Sequence, residues 1–163
     1  MIRRLSLIAL ASLALAGCGG TAPDGAAESA SRLLTAAFKG DRVAFEAEID
    51  RAAVREDVRR QVTQMARVAA LDVDGGPSEF ALDRMISPAA FRLVHAGSGE
   101  ALSAAPTPQQ VAKLMHPVDA NHACLRDAEA PKTCLLTFAR NKKQWRLVGM
   151  KAMGLRIELA AAD

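Results

Sequence analysis

The hydrophobic spacing of this chain changes once along its length, and that change constrains the fold more than any other feature. Val54, Val58, Val62, Met65 and the pair Val68 and Ala69 recur at steps of three and four, the period of one helical face. In the C-terminal third the period becomes two. "TCLLTFAR" and "WRLVGMKAM" alternate about "NKKQ", a polar segment whose residues tolerate hairpin geometry. Cys134, Leu136 and Phe138 are expected on one strand face, and Trp145, Leu147 and Gly149 on one face of the partner. "ANHACLR" predicts a strand before this pair, and "GLRIELA" one after Gly154. N-terminal helices followed by an antiparallel β-meander make an α+β fold.

Local signals divide the helical part. Residues 28–39 predict a helix with Leu33, Leu34, Ala37 and Phe38 as its apolar stripe, closed by Gly40 in a left-handed cap. Asp41 is placed to cap a second, short helix, "RVAFEAEI". The third helix carries Arg55, Arg59, Arg60 and Arg67 beside Glu56 and Asp57 on its other face. A basic lipid- or partner-binding face is one reading, but the mixed signs favour a solvated side. "DVDGGPSEF" breaks that helix. From Phe80 to Val94, apolar residues fall at Phe80, Ile86, Phe91 and Val94, with Pro88 separating two short turns. "AGSGEALSAAPT" reads as loop. Thr107, Pro108 and Gln110 then supply an N-cap, a first-turn proline and a capping-box partner for a helix to about Met115.

The first residues belong to a different pattern. Arg3 and Arg4 precede an apolar run from Leu5 to Ala16, interrupted only by two serines. As a helix this run is about 18 Å long, too short for a hydrocarbon core of about 30 Å, so it reads as a signal-peptide segment. Leu15-Ala16-Gly17-Cys18 is similar to the lipobox of bacterial lipoproteins, with a Leu, two small residues and the cysteine in their places. The resemblance implies that the Cys18 thiolate takes a diacylglyceryl group and that residues 1–17 are removed. It also implies palmitate on the new N-terminus. A single chain holds a protein to a bilayer only marginally, whereas two or more anchor it stably. Gly19, where an aspartate would signal retention, implies an outer-membrane anchor facing the periplasm. "GGTAPDGAA" completes residues 18–27, read as a flexible tether. Residues 28–160 are then a single α+β domain.

Composition limits the partners. Loss of residues 1–17 removes Arg3 and Arg4 and no acid from a chain with 21 basic and 18 acidic side chains, leaving 19 against 18. A nucleic-acid footprint would be strongly basic and clustered, so no nucleic acid is expected. Aromatic residues are 4% of the chain, so the core must be made of Ala, Val, Leu and Met.

The order "AFKGD", "IDRAAVREDV", "TPQQVAKLM", "LLTFAR" and "WRLVGMKA" resembles the bacterial domain-of-unknown-function family numbered 2939, over roughly residues 30–158. Those motifs are packing and capping residues, so the resemblance implies a fold and no catalytic residues. The order of helices and curved sheet is also similar to the cystatin-like and nuclear-transport-factor-like cone folds, an analogy that does not license function.

The remaining chemistry is sparse. With Cys18 lipidated, Cys124 and Cys134 form an even pair in an oxidising compartment, expected to close a disulfide across a hairpin. A non-hydrogen-bonded pair would hold their Cα atoms about 4.5 Å apart. A redox pair is the sharper alternative, but the spacing is not CxxC and no flanking charge favours a thiolate. His116, Asp119, His122 and Cys124 are zinc-ligand types in no standard array, and the segment reads as a loop. His95, Ser98 and Glu100 lack the glycine that a nucleophile elbow needs. "DVDGGPSE" departs from a calcium loop at Gly76, Pro77 and Asp83. No metal, cofactor or catalytic set is expected. The sequence points to a non-catalytic envelope module with a protein partner, or alternatively to a binder of a small apolar ligand between sheet and helices.

Overall fold

The computed structural model describes residues 24–70 and 76–160. The lipobox, Cys18 and most of the expected tether lie outside the described residues. Helix α1 (Asp24–Lys39) starts within the expected tether, four residues early, because its stripe extends back to a fully buried Ala26. Ala26, Ala30, Leu33, Leu34 and Ala37 form that buried face. Small residues let α1 sit close to several neighbours at once. The backbone amides of Gly40 and Asp41 donate to the carbonyls of Ala37 and Ala36, and Gly40 takes φ +67° to make this turn.

Asp41 caps α2 (Arg42–Ala47), accepting from the Ala44 amide at 3.0 Å, and Asp50 caps α3 (Arg51–Val68) in the same way through Ala53. On α3 only Val54 and Val58 are fully buried; Met65 and Val68 are exposed, because the helix runs beyond the core. Helix α4 (Glu79–Met85) and a 3-10 turn (Pro88–Ala90) follow. Residues 92–95, expected as part of a second turn, are instead strand β1 (Arg92–His95). Helix α5 (Pro108–Leu114) has both hydrogen bonds of the capping box between Thr107 and Gln110.

Strands β2 (Met115–Pro117), β3 (His122–Arg126), β4 (Cys134–Asn141) and β5 (Gln144–Met150) form an antiparallel sheet in that order. Strand β6 (Arg156–Leu159) does not extend it but pairs in parallel with β1, from Arg92 opposite Arg156 to His95 opposite Leu159. The fold is α+β, with helices before the main sheet and a small parallel pair beside it.

Rows of side chains cross the inner face. Met115, Leu125, Leu136 and Met150 are cross-strand neighbours in one row, and Ala123, Phe138 and Leu147 in the next. α1 covers this layer, packing on β4, β5, α2 and α5. Leu33, Leu34, Phe45, Leu125, Leu136, Phe138 and Leu147 all have 0% exposure. Each large apolar side chain so placed contributes about 1.5–3 kcal/mol. Phe45 meets Phe91 edge to face at 5.1 Å, extending the core toward β1.

Two irregularities rephase the strands. In β4 both Cys134 and Leu135 lie opposite Arg126, so Leu135 and Leu136 are consecutively buried and Cys134 moves to the outer face. In β5 the register shifts around Val148, sending Gly149 to the outer face opposite Thr137 and Met150 to the inner row. The expectations that Cys134 joins Leu136 and Phe138, and Gly149 joins Trp145 and Leu147, are corrected by these two bulges. Each inserts one residue into a period-two pattern.

Candidate functional site

Three surfaces hold the side chains with chemical potential. The first is the outer sheet face, where Cys124 lies opposite His116 on one side and Thr137 on the other. Cys124 and Cys134 are joined by a disulfide, with Cα atoms 5.7 Å apart. The bond runs diagonally, since Cys134 stands level with Arg126 and not with Cys124. The β4 bulge carries Cys134 onto the Cys124 face, which explains a separation longer than a directly opposed pair would have.

The supposed zinc ligands do not converge. Cys124 is taken up by its disulfide, and the His122 ring Nδ1 lies 2.8 Å from an Asp119 oxygen at the β2–β3 turn. The Asn121 amide, then His122, hold the Asp119 carboxyl below its ordinary range. Among the described residues no group of three or more His, Cys, Asp or Glu side chains could hold a metal ion. His95, Ser98 and Glu100 are parts of a turn: the Glu100 carbonyl accepts from the His95 amide at 2.8 Å, and the Ser98 hydroxyl accepts from the Glu100 amide. The first half of the calcium-like segment lies outside the described residues, and Asp83 beyond it is engaged by arginines. Glu158 is the one buried ionisable side chain among the described residues. One of its oxygens pairs with Arg156 and the other has no protein partner.

The second surface joins α3 to α4. Arg51 and Arg55 both reach Asp83, Arg51 also pairs with Glu46, and Arg55 and Arg59 meet Glu79. Hydrogen bonding from Arg55, reinforced by the charges of Arg55, Arg51 and Arg42, holds the Asp83 carboxyl below its usual range. The mixed face read from the sequence is therefore largely an ion-paired seam. Beside it opens a cleft of about 940 Å³ between the end of α1 and α4, lined by Phe38, Lys39, Arg42, Phe80 and Arg84 among others. Phe38 and Phe80, expected in the core, are 37% and 71% exposed, and Arg84 lies over the Phe80 ring at 5.9 Å. The α1 stripe is satisfied by its alanines and leucines, so Phe38 falls at its edge. Phe80 sits on the solvent side of a two-turn helix whose inner side is Leu82.

The third surface is the tip of the β4–β5 hairpin. Arg140, Lys142, Lys143 and Arg146 are all exposed, around an open concavity of about 920 Å³. Arg140 donates to the Lys142 carbonyl and Arg146 to the Gln144 side chain. None of the four has an acidic partner among the described residues. The string "RNKKQWR" carried this signal, but a net charge near zero over the domain obscured it.

No family model, curated protein or solved structure matches the chain.

Proposed function

We propose that this chain is a lipid-anchored protein of the bacterial cell envelope whose folded domain acts by binding a protein partner and not by catalysis. The observation that carries the binding half is the distribution of space. The layer between α1 and the sheet is filled by side chains with no exposure, while the wide clefts lie on the outer surface. A filled interior speaks against the alternative of a small apolar ligand held between sheet and helices. The exposed Phe38 and Phe80, with the cationic Lys39 and Arg42 beside them, suit a partner segment that is both apolar and acidic.

The anchoring half rests on Leu15-Ala16-Gly17-Cys18, with support from the Cys124–Cys134 bond, which suits an oxidising compartment. No helix among the described residues is long and apolar enough to cross a membrane. An outer-membrane, periplasm-facing site and membership of the family numbered 2939 belong to the same proposal.

Mass spectrometry of the natively extracted protein tests it. The expected species begins at Cys18, carries acyl chains, and has Cys124 and Cys134 oxidised. Cys18→Ser is expected to abolish palmitate labelling and membrane association. An intact product retaining Met1, or labelling that survives the substitution, overturns the anchor. A stoichiometric apolar ligand in the native spectrum overturns the filled-interior reading.

A further inference from the structure

The β4–β5 hairpin and the start of α1 lie together, which matters if a lipid enters the chain just before α1. A Cβ on Gly25 would stand 2.8 Å from Trp145 Cδ1, so the first turn of α1 rests directly on the indole. One turn later the buried Ser29 hydroxyl lies 2.9 Å from the Trp145 carbonyl oxygen and 2.9 Å from Glu48 Oε2. Lys143 is two residues before Trp145, hence within about 7 Å along the strand. Gly25, Lys143, Trp145 and Arg146 line one shallow concavity. The six residue steps from Cys18 to Asp24 reach no further than about 22 Å. Any lipid on Cys18 is therefore confined to the neighbourhood of this hairpin.

The charge there is one-sided. Arg140, Lys142, Lys143 and Arg146 are exposed without acidic partners among the described residues. The acids nearby are already committed: Glu48 pairs with Arg32, Glu28 acts on the same guanidinium, and Asp50 caps α3. Lys142 holds φ +58° at the turn, where glycine would be unstrained, so a cation occupies this exposed turn position at a conformational cost.

We propose that the β4–β5 hairpin is a second membrane contact, seating Arg140, Lys142, Lys143 and Arg146 on the anionic phospholipid headgroups of the bilayer that holds the anchor. This rests on the lipid-anchor reading, since a tether of that length keeps the hairpin close enough to reach the bilayer surface, where such attraction acts over a Debye length of about 8 Å. Acyl chains supply retention and the hairpin supplies orientation. The Phe38–Phe80 cleft lies at the other end of α1, about 20 Å away along the helix axis, and is left facing outward.

The test is hydrogen exchange on the natively extracted full protein, reconstituted into phosphatidylcholine vesicles with or without phosphatidylglycerol. The backbone amides of residues 140–146 are expected to exchange about tenfold more slowly on the anionic vesicles. High salt, or the double substitution Lys142→Gln and Lys143→Gln, is expected to remove that difference while α3 peptides stay unchanged. Equal exchange on both vesicles, or protection that survives the double substitution, overturns the proposal. So does equal protection by duplex DNA in place of vesicles, which would mark a general polyanion site. A urea melt of the double variant confirms its fold. Intact mass of the same preparation separates the two readings. Lipid-dependent protection without acyl chains refutes the anchor alone, and acylated protein without protection refutes the hairpin alone.

Discussion

The carboxylate of Asp57 stands 2.9 Å from the point where a side chain on Gly149 would begin. That approach closes the edge of the main sheet. Asp57 Oδ2 accepts from the Met150 amide at 3.2 Å, and the Gln61 carboxamide donates to the Met150 carbonyl and accepts from the Ala152 amide. Earlier on β5, the Leu147 carbonyl accepts from the Asp50 amide and the Leu147 amide donates to the Glu48 carbonyl. Backbone at one end and α3 side chains at the other thus pair the groups that an edge strand would leave open to another chain. Gly149→Ala is expected to destabilise by about 1–3 kcal/mol through overpacking, and less in an Asp57→Ala background. Urea denaturation of the double-mutant cycle measures that coupling, and additive effects would contradict it.

Gln61→Ala leaves two backbone groups of the β5 region without their partner. The expected cost is about 1–2 kcal/mol. Faster exchange of the Ala152 amide than of the β3–β4 ladder is the accompanying sign.

Removing the outer-face disulfide tests the diagonal strap. Cys124→Ser with Cys134→Ser is expected to lose about 2–3 kcal/mol, the loop-closure value for a short loop. Thiol titration of the native, unreduced domain is expected to find neither Cys124 nor Cys134 free.

The α3–α4 seam makes stability depend on acid. Asp83 has its folded pKa depressed, so its contribution is present above the unfolded value near 3.8 and is lost as pH falls through the lower folded value. Asp83→Asn is expected to lower Tm at neutral pH and to flatten its decline below pH about 4. Parallel curves for the two proteins across that window would contradict the assignment.

Exposure separates the two kinds of phenylalanine. Phe80→Ser is expected to change stability by no more than about 0.5 kcal/mol, whereas Phe45→Ala costs about 3–5 kcal/mol. Equal losses in urea melts would return Phe80 to the core.

Much of the architecture was legible in the residues themselves because its causes are local. Asp41, Thr107, Pro108 and Gln110 act within one helical turn, Gly40 makes its turn alone, and the alternation in β4 and β5 follows from the geometry of a strand. The phase of an apolar residue within an element was less secure. Phe38, Phe80, Met65 and Val68 fit a helical period, but burial depends on whether another element arrives to cover them. The bulges at Leu135 and Val148 break the period by one residue each, and no neighbouring residue type announces them.

By itself the sequence determined the order of α1, α2, α3 and α5 and of strands β3 to β6, the caps at Asp41 and Thr107, the eligible cysteine pair and the lipobox from which an anchor is inferred, but not β1 or β2, which it read as turn and loop. Those depend on contacts a few residues apart or on a motif recognised in extended form. The tertiary structure decided the parallel pairing of β6 with β1, the diagonal placement of Cys134, the closure of the β5 edge by Asp57 and Gln61, and the gathering of four cations beside the start of α1. Each needs residues tens of positions apart to meet, and such meetings are set by the packing of the whole chain.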